Sequence, residues 1–289
     1  MDISSITGKI IILGTAQDGG YPHAGCMEDC CAEAWNDSKL KRLISSLGIL
    51  SGNDCWFIDI TPDFAYQIKM IEAKLNRQPN VCGIIISHAH IGHYLGLLQL
   101  GLEVMNTNQI PVYVMPKMKC FLEDNAPFTQ LIELNNIKLF PIKDNEVLQL
   151  NNNISIIPFL VPHRNEFSET IGFKVQSPDK SLLYIPDIDS WDAWDLDINE
   201  VIQKNDVILL DGTFYSNDEL INRNVINVPH PYIKETLQRI SILEKVDREK
   251  VYFTHLNHTN PVIKKSSLER SEVQCKGYHI ADDNMIFTL

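Results

Sequence analysis

The stretch Ser87–Gly96, SHAHIGHYLG, holds His88, His90 and His93 within six residues, directly after the apolar run VCGIIIS. Neutral imidazole nitrogens are good ligands for borderline-soft divalent ions. An H-x-H pair past a strand end sets two rings on one side of an extended backbone, and the third ring returns after a turn. Such a set points to metal binding. Gly92, the one glycine among them, is expected to help the turn by taking backbone angles that other residues resist. Further donors follow other β-type runs: His163 in LVPHRNEFSE, Asp187 in LLYIPDIDS, and His255 with His258 in FTHLNHTNP. Each alone reads as a loop histidine or a turn-capping aspartate. A ligand or acid at one strand end after another is a pattern that chance rarely supplies.

A second cluster lies near the start, where PHAGCMEDCCAEAW sets His23, Cys26, Cys30 and Cys31 within nine residues. Thiolates this close are natural zinc ligands, and adjacent cysteines seldom pair with each other as disulfides. The spacing C-x3-C-C is not that of a standard finger, so structural zinc and free thiols both stay open, with Cys275 and His279 as distant further ligands. His230, in NVPHPYIKETL, precedes a helical pattern whose free N–H groups would lower its pKa. A carboxylate beside it would oppose that shift and keep the ring protonated, and Asp211 in LLDGTF is the acid in view. A ring held in that state is a candidate general acid; the other reading is a histidine that caps a helix.

Elements that could position these residues recur along the chain. Runs of β type cover 9–14, 54–60, 81–87, 110–115, 154–161, 170–176, 181–187, 206–212 and 250–256. TPDFAYQIKMIEAKLN and HPYIKETLQRISILEKV carry helical periodicity, the first with Thr61 as cap and Pro62 at the first helical position. Strands paired within both halves and helices between them predict an α/β fold of two mixed sheets packed face to face, with helices outside. If the strands enter one rim, His88, His163, Asp187, Asp211 and His255 converge there. No linker, low-complexity tract or solenoid repeat divides the sequence, so residues 1–289 are expected to form one domain.

Composition narrows the function classes. The 289 residues are 44% hydrophobic, enough for a large core, and 25 Lys and Arg against 37 Asp and Glu give a net charge of −12. That balance repels a phosphate backbone, and the short basic runs at Lys39–Arg42 and Lys264 do not offset it, so long nucleic acids are not expected as partners. The apolar run Ile10–Leu13 is too short for a signal-peptide core and reads as a buried strand, and no segment has the roughly 18 apolar residues of a membrane helix. Seven cysteines, several in apolar segments, argue against a disulfide framework and for a reducing cytoplasm. GTAQDGG is not a dinucleotide-binding G-x-G-x-x-G, and there is no serine nucleophile elbow.

The order H-x-H-x-x-H, distant His, Asp after a strand, then THLN resembles the metallo-β-lactamase-fold hydrolases, an αββα sandwich with its metal site along one edge. The likeness covers nearly the whole chain. LGTAQDGGYPHAGC, FIDITPDFAYQI and HLNHTNP resemble more narrowly the branch that contains coenzyme PQQ biosynthesis protein B and its hydrolase-like relatives. The resemblance implies that His88, His90 and His163 hold a first metal, His93 and His255 a second, and Asp187 bridges them. It also implies that Asp59 braces the site through hydrogen bonds, where its other reading is a strand-end cap for the helix near Pro62. For the cysteine loop it implies a structural zinc. The sequence departs from the pattern H-x-H-x-D-H at Gly92, so either His258 takes the vacancy or the second site is weak. The reading leans toward two metals.

The implied activity is metal-dependent hydrolysis of a small ester-type substrate by an activated water. The metal would be zinc, with manganese or iron as alternatives. A modest preference for a phosphodiester rests on Asp211 and His230, whose stretches partly resemble an acid and histidine of transfer-RNA 3′-processing and cyclic phosphodiesterase relatives. Other outcomes are lactone or thioester hydrolysis, an iron-dependent oxygenase or hydroxylase, and a non-catalytic binding protein. Arg164 is a candidate grip for an anion, and Trp56, Trp191, Trp194 and Tyr215 line either a mouth or the core. The partner expected is a small molecule, and the sequence leaves the oligomeric state open.

Overall fold

A computed structural model describes residues 8–220 and 229–289. Fourteen strands appear there in chain order: β1 Lys9–Gly14, β2 Ser46–Ser51, β3 Asp54–Ile58, β4 Asn80–Ile85, β5 Ile110–Val114, β6 Ile137–Pro141, β7 Leu148–Gln149, β8 Ser155–Leu160, β9 Ile171–Gln176, β10 Ser181–Ile185, β11 Val207–Asp211, β12 Val251–Thr254, β13 His279–Ile280 and β14 Ile286–Thr288. They form two seven-stranded sheets, ordered β14-β1-β2-β3-β4-β5-β6 and β13-β12-β11-β10-β9-β8-β7. Both mix parallel and antiparallel pairs, as predicted.

Strand alternation sends side chains to different layers. Ile10 and Ile12 of β1, Trp56 and Ile58 of β3, Tyr184 of β10 and Leu209 of β11 meet in the core between the sheets. Their neighbours Ile11, Leu13 and Phe57 face outward, onto Phe64 and Ile71 of the helix Phe64–Leu75 and onto Leu122 and Leu131 of two later helices. On the other side Leu183, Ile185, Ile208 and Leu210 meet Ile198, Ile202, Ile233, Leu237 and Val273 from three helices. Three apolar cores therefore separate four layers: helix, sheet, sheet, helix. Truncating a fully buried ring such as Phe173 between the sheets would cost about 3–5 kcal/mol.

All nine runs read from the sequence as strands are strands, with ends trimmed by one or two residues in most cases. Five strands have no clear signature in the sequence. β7, β13 and β14 have only two or three residues each, too few for a pattern; β2 is interrupted by Gly48, and β6 carries Lys138 and Pro141. A Cβ at Gly48 would stand 2.9 Å from Ile71 Cδ1, so the glycine is where the helix Phe64–Leu75 lies close on the sheet. Trp56, Trp191, Trp194 and Tyr215 are all buried, the first between the sheets and the others under the outer helices, so the mouth-lining alternative is corrected to core. Among the described residues no helix is long and apolar enough to cross a membrane.

The topology dictates the rim. β8 is antiparallel to β9, β9 is antiparallel to β10, and β10, β11 and β12 are parallel, so β8, β10, β11 and β12 all point one way. Their carboxyl ends lead into His163, Asp187, Asp211 and His255. In the other sheet β3 and β4 are parallel and lead into Asp59 and His88. The two sets meet where the Ile171 N–H donates to the Ser87 carbonyl at 3.2 Å.

Candidate metal centre

The predicted rim residues come together in two adjoining groups. In the first, His88 Nε2 stands 2.8 Å from His90 Nδ1, and His163 Nε2 stands 3.3 Å from the same atom. Asp187 reaches this group with Oδ1 at 3.8 Å from His163 Nε2 and Oδ2 at 4.0 Å from His88 Nε2. In the second, Asp187 Oδ2 lies 3.3 Å from His93 Nε2 and 3.4 Å from His255 Nε2. Asp187 thus faces both groups.

Hydrogen bonds from behind fix which nitrogen each ring presents. The Asp59 carboxylate accepts from His93 Nδ1 at 2.7 Å, from the Ser87 N–H at 2.7 Å and from the Ser87 hydroxyl at 2.9 Å. Because the Ser87 hydroxyl proton is committed to Asp59, its oxygen is an acceptor for His88 Nδ1–H at 2.9 Å. Likewise the Thr213 hydroxyl donates to Asp211 at 2.8 Å and accepts from His255 Nδ1 at 3.0 Å. His163 Nδ1 donates to Asp189 Oδ1 at 2.7 Å. Four rings therefore turn Nε2 inward. Asp59 braces His93 as the resemblance implied, and it does so with φ +64°, while His255 has φ +57°; such left-handed backbone costs roughly 1–3 kcal/mol each and marks residues held in place by their surroundings.

The charge states suit ligation. Burial drives His88 well below the ordinary histidine range and His90 down to about 4, leaving both rings neutral. Burial also lowers His255. His93 goes the other way: burial opposes its charge, but Asp59, Asp18 and Asp187 around it raise it well above the usual value. Burial opposes the Asp187 anion too, yet His255 and His88 hold its carboxyl well below the carboxylate range. Four buried atoms at this point, His93 Nε2, His255 Nε2, Asp187 Oδ2 and Asp18 Oδ1, have no hydrogen-bond partner. Leaving such groups unpaired costs about 1–3 kcal/mol each, more when charged, and a cation at their focus removes the cost. The donor set fits a divalent metal.

Asp18 has no counterpart among the residues predicted from the sequence. It sits in a turn closed by Gly20 N–H to Gln17 carbonyl at 2.7 Å, and its Oδ1 lies 3.2 Å from His93 Nε2 and 4.0 Å from His255 Nε2. Gly92 belongs to the short helix Ile91–Tyr94 and does not have positive φ, so the expected reason for the glycine is corrected: a Cβ there would stand 2.2 Å from Asp18 Oδ1. Asp189 and Thr213, which brace two of the rings, also escape sequence reasoning; both are ordinary loop polar residues in sequence.

His258 does not join the second group, a correction to the idea that it fills the vacancy. Its Nδ1 lies 3.5 Å from both Cys30 Sγ and Cys31 Sγ, and Cys26 Sγ is 3.5 Å from Cys30 Sγ. Donors at zinc distances of about 2.1–2.3 Å from a tetrahedral centre stand roughly 3.4–3.8 Å apart, so these four side chains match a zinc site. Burial and the adjacent thiols push Cys30 up to about 12, a charge cost that a bound cation would relieve. His23 is adjacent but not in the group: its ring stacks on His258 at 4.3 Å. Cys275 is exposed, and His279 stacks on Tyr252 instead.

His230 Nδ1 donates to Asp211 Oδ2 at 2.7 Å, the pairing predicted from the sequence. Asp211 is held by the Ile188 N–H at 3.0 Å and the Thr213 N–H at 2.9 Å. Burial works against a charged His230, but Asp211, then Asp187 and Asp18, raise its pKa above the ordinary value. Its ring lies 5.4 Å from that of His163 and 6.2 Å from that of His255, beside both ligand groups. Arg164 follows His163 and lies 3.9 Å from Glu166, which in turn stands 3.6 Å from His90 Nε2.

A family model described as Beta-lactamase superfamily domain matches residues 55–256. A curated relative, coenzyme PQQ synthesis protein B of Methylorubrum extorquens, is 26% identical over 97% of this chain and 99% of its own length. Among solved structures, Zn(2+)-bound PqqB from Methylobacterium extorquens superposes with a TM-score of 0.82 at 23% identity, covering 97% of this chain and 100% of that one. A diphosphatase from the PhnP family gives a TM-score of 0.67 at 20% identity over 98% and 97% of the two chains. Human tRNase Z, short form, gives 0.58 at 14% over 96% and 98%. With four layers, the metal-ligand groups on one rim and these likenesses together, the chain belongs to the β-lactamase superfamily and has the metallo-β-lactamase fold.

Proposed function

We propose that this protein is a metal-dependent hydrolase acting on a small ester-type substrate, with a phosphodiester preferred. The observation that carries the reading is the Asp211–His230 pair, buried and hydrogen bonded at 2.7 Å, beside the two ligand groups. His88, His90 and His163 would hold one ion, His93 and His255 another, and Asp187 would serve both. Zinc is favoured by the imidazole donors, with manganese or iron as alternatives. Divalent ions held there would lower the pKa of a bound water to about 7 and would polarise the oxygen of the scissile group.

The remaining chemistry belongs to the chain itself. Hydrolysis needs a proton for the departing alkoxide, and His230 can give it from Nε2 while Nδ1–H stays bound to Asp211. Asp211 fixes the ring's orientation and raises its pKa, which favours the protonated donor. Arg164, on the loop after His163, would grip an anionic end of the substrate, with Glu166 beside it and 3.6 Å from His90 Nε2. The substrate is expected to be a small molecule, and the cytoplasm the site of action.

Chromogenic phosphodiesters, lactones and thioesters assayed with zinc, manganese and iron test this reading. Turnover of a phosphodiester, reduced in His230→Ala with metal content unchanged, supports it; loss of metal in that variant would refute the acid role. A second reading comes from the two-histidine, one-carboxylate set at His93, His255 and Asp187, a donor set also used by iron oxygenases. Oxygen consumption by iron-loaded protein, without ester cleavage, would favour that reading.

A further inference from the structure

We propose that Asp18 supplies the terminal carboxylate of the second metal site, and that Gly92 is the residue that makes room for it. This rests on the metal-binding reading above and extends it to a loop about seventy residues upstream of the histidine stretch.

Three independent features converge. Asp18 Oδ1 is buried, has no hydrogen-bond partner, and points at His93 Nε2 from 3.2 Å, in one ligand group with His93 and His255, the two rings that Asp187 Oδ2 approaches at 3.3 and 3.4 Å. The backbone delivers it there. The Leu256 N–H donates to the Thr15 carbonyl at 2.8 Å and the Gln17 N–H donates to the Leu256 carbonyl at 2.9 Å, so the Asp18 turn is bonded to the residue that follows His255. Finally, position 92 carries no side chain. A Cβ there would lie 2.2 Å from Asp18 Oδ1 and 2.7 Å from Asp18 Cα, so any side chain at 92 would displace the turn itself. A carboxylate from position 92 and one from position 18 would compete for the same space, and this chain has the second.

The arrangement gives the second site two imidazoles, His93 and His255, and two carboxylates, Asp187 and Asp18. The added negative charge favours a hard divalent ion more strongly than imidazoles alone would. It also places one ligand on a turn at the surface, because Asp18 borders a groove of about 1450 Å³ shared with Tyr21, Tyr66 and Lys74.

The test uses the full chain, stripped of metal at the rim and titrated with manganese, which binds thiolates poorly and so reports the histidine and carboxylate groups separately from the cysteine cluster. Manganese per chain is measured by mass spectrometry and the spin coupling between ions by electron paramagnetic resonance. Wild-type protein should bind two ions with a coupled spectrum. Asp18→Asn should keep one ion with an uncoupled six-line signal and bind the second at least tenfold more weakly. Gly92→Ala should do the same although it removes no donor, because its Cβ would meet Asp18. Zinc retained at the cysteines checks that each variant is folded. Two tightly bound, coupled ions in both variants would overturn the assignment and leave the metal-binding reading intact. Failure of wild-type protein to bind manganese at all, with the His88→Ala variant indistinguishable from it, would overturn that reading itself.

Discussion

The loop Thr254–His258 gives one histidine to each of two clusters that are built to opposite ends. His258 turns its Nδ1 to three thiols, and the four protein donors leave no position open. His255 turns its Nε2 to the rim, where donors from several strand ends are braced from behind by Asp59, Asp189, Ser87 and Thr213 and a potential proton donor stands beside them. A closed set of thiolates suits a structural ion, and an open set of imidazoles and carboxylates suits a catalytic one. The same stretch of backbone therefore links a donor set that suits a structural ion to one that suits a catalytic ion, and the two should respond differently to mutation.

The largest effect is expected from the residue that both rim groups share. Asp187→Ala should lower phosphodiester turnover at least about 10³-fold and deplete the rim ions while leaving zinc at the cysteines, as read by metal analysis and steady-state kinetics. His230→Ala should cost about 10²–10⁴-fold in kcat with both clusters still loaded. The pH profile sharpens that role. A donor must be protonated, and the His230 pKa is raised by Asp211, so activity should hold through the ordinary histidine range and fall only above it; Asp211→Asn should move that falling limb to lower pH.

Cys31→Ser reverses the pattern. It should release the cysteine-bound zinc and lower the melting temperature by several degrees, and through the shared loop it should also weaken the His255 ion, while turnover at saturating metal stays within about tenfold of wild type. The smallest effect belongs to the bracing groups: Asp59→Asn or Asp189→Asn should weaken rim metal affinity by about 10–100-fold and leave the cysteine zinc untouched.

His88, His163, Asp187, Asp211 and His255 were legible because each closes or closely follows an apolar run, where a polar side chain signals itself. The layered fold was legible for a related reason: strands buried on both faces read as plain hydrophobic runs. What was not legible depended on distant backbone pairing. Asp18 stands in an unremarkable GTAQDGG turn, and backbone hydrogen bonds to distant segments, those of Thr15 and Gln17 to Leu256 among them, bring it to the rim. The missing carboxylate at Gly92 marks a vacancy in the sequence, but nothing local to it points to Asp18. His258 misled for the opposite reason. His90 and His93 share its three-residue spacing and serve adjoining groups, but the left-handed backbone at His255 redirects the chain, so His258 reaches the cysteines.

Hydrolysis of a chromogenic phosphodiester by metal-loaded protein in ¹⁸O-enriched water tests the central claim most directly. One ¹⁸O per turnover in the phosphoryl product, with no turnover in His88→Ala, is the expected result. Contradiction would come from metal-loaded protein that cleaves no ester, or from a product whose new oxygen derives from O₂ and not from water.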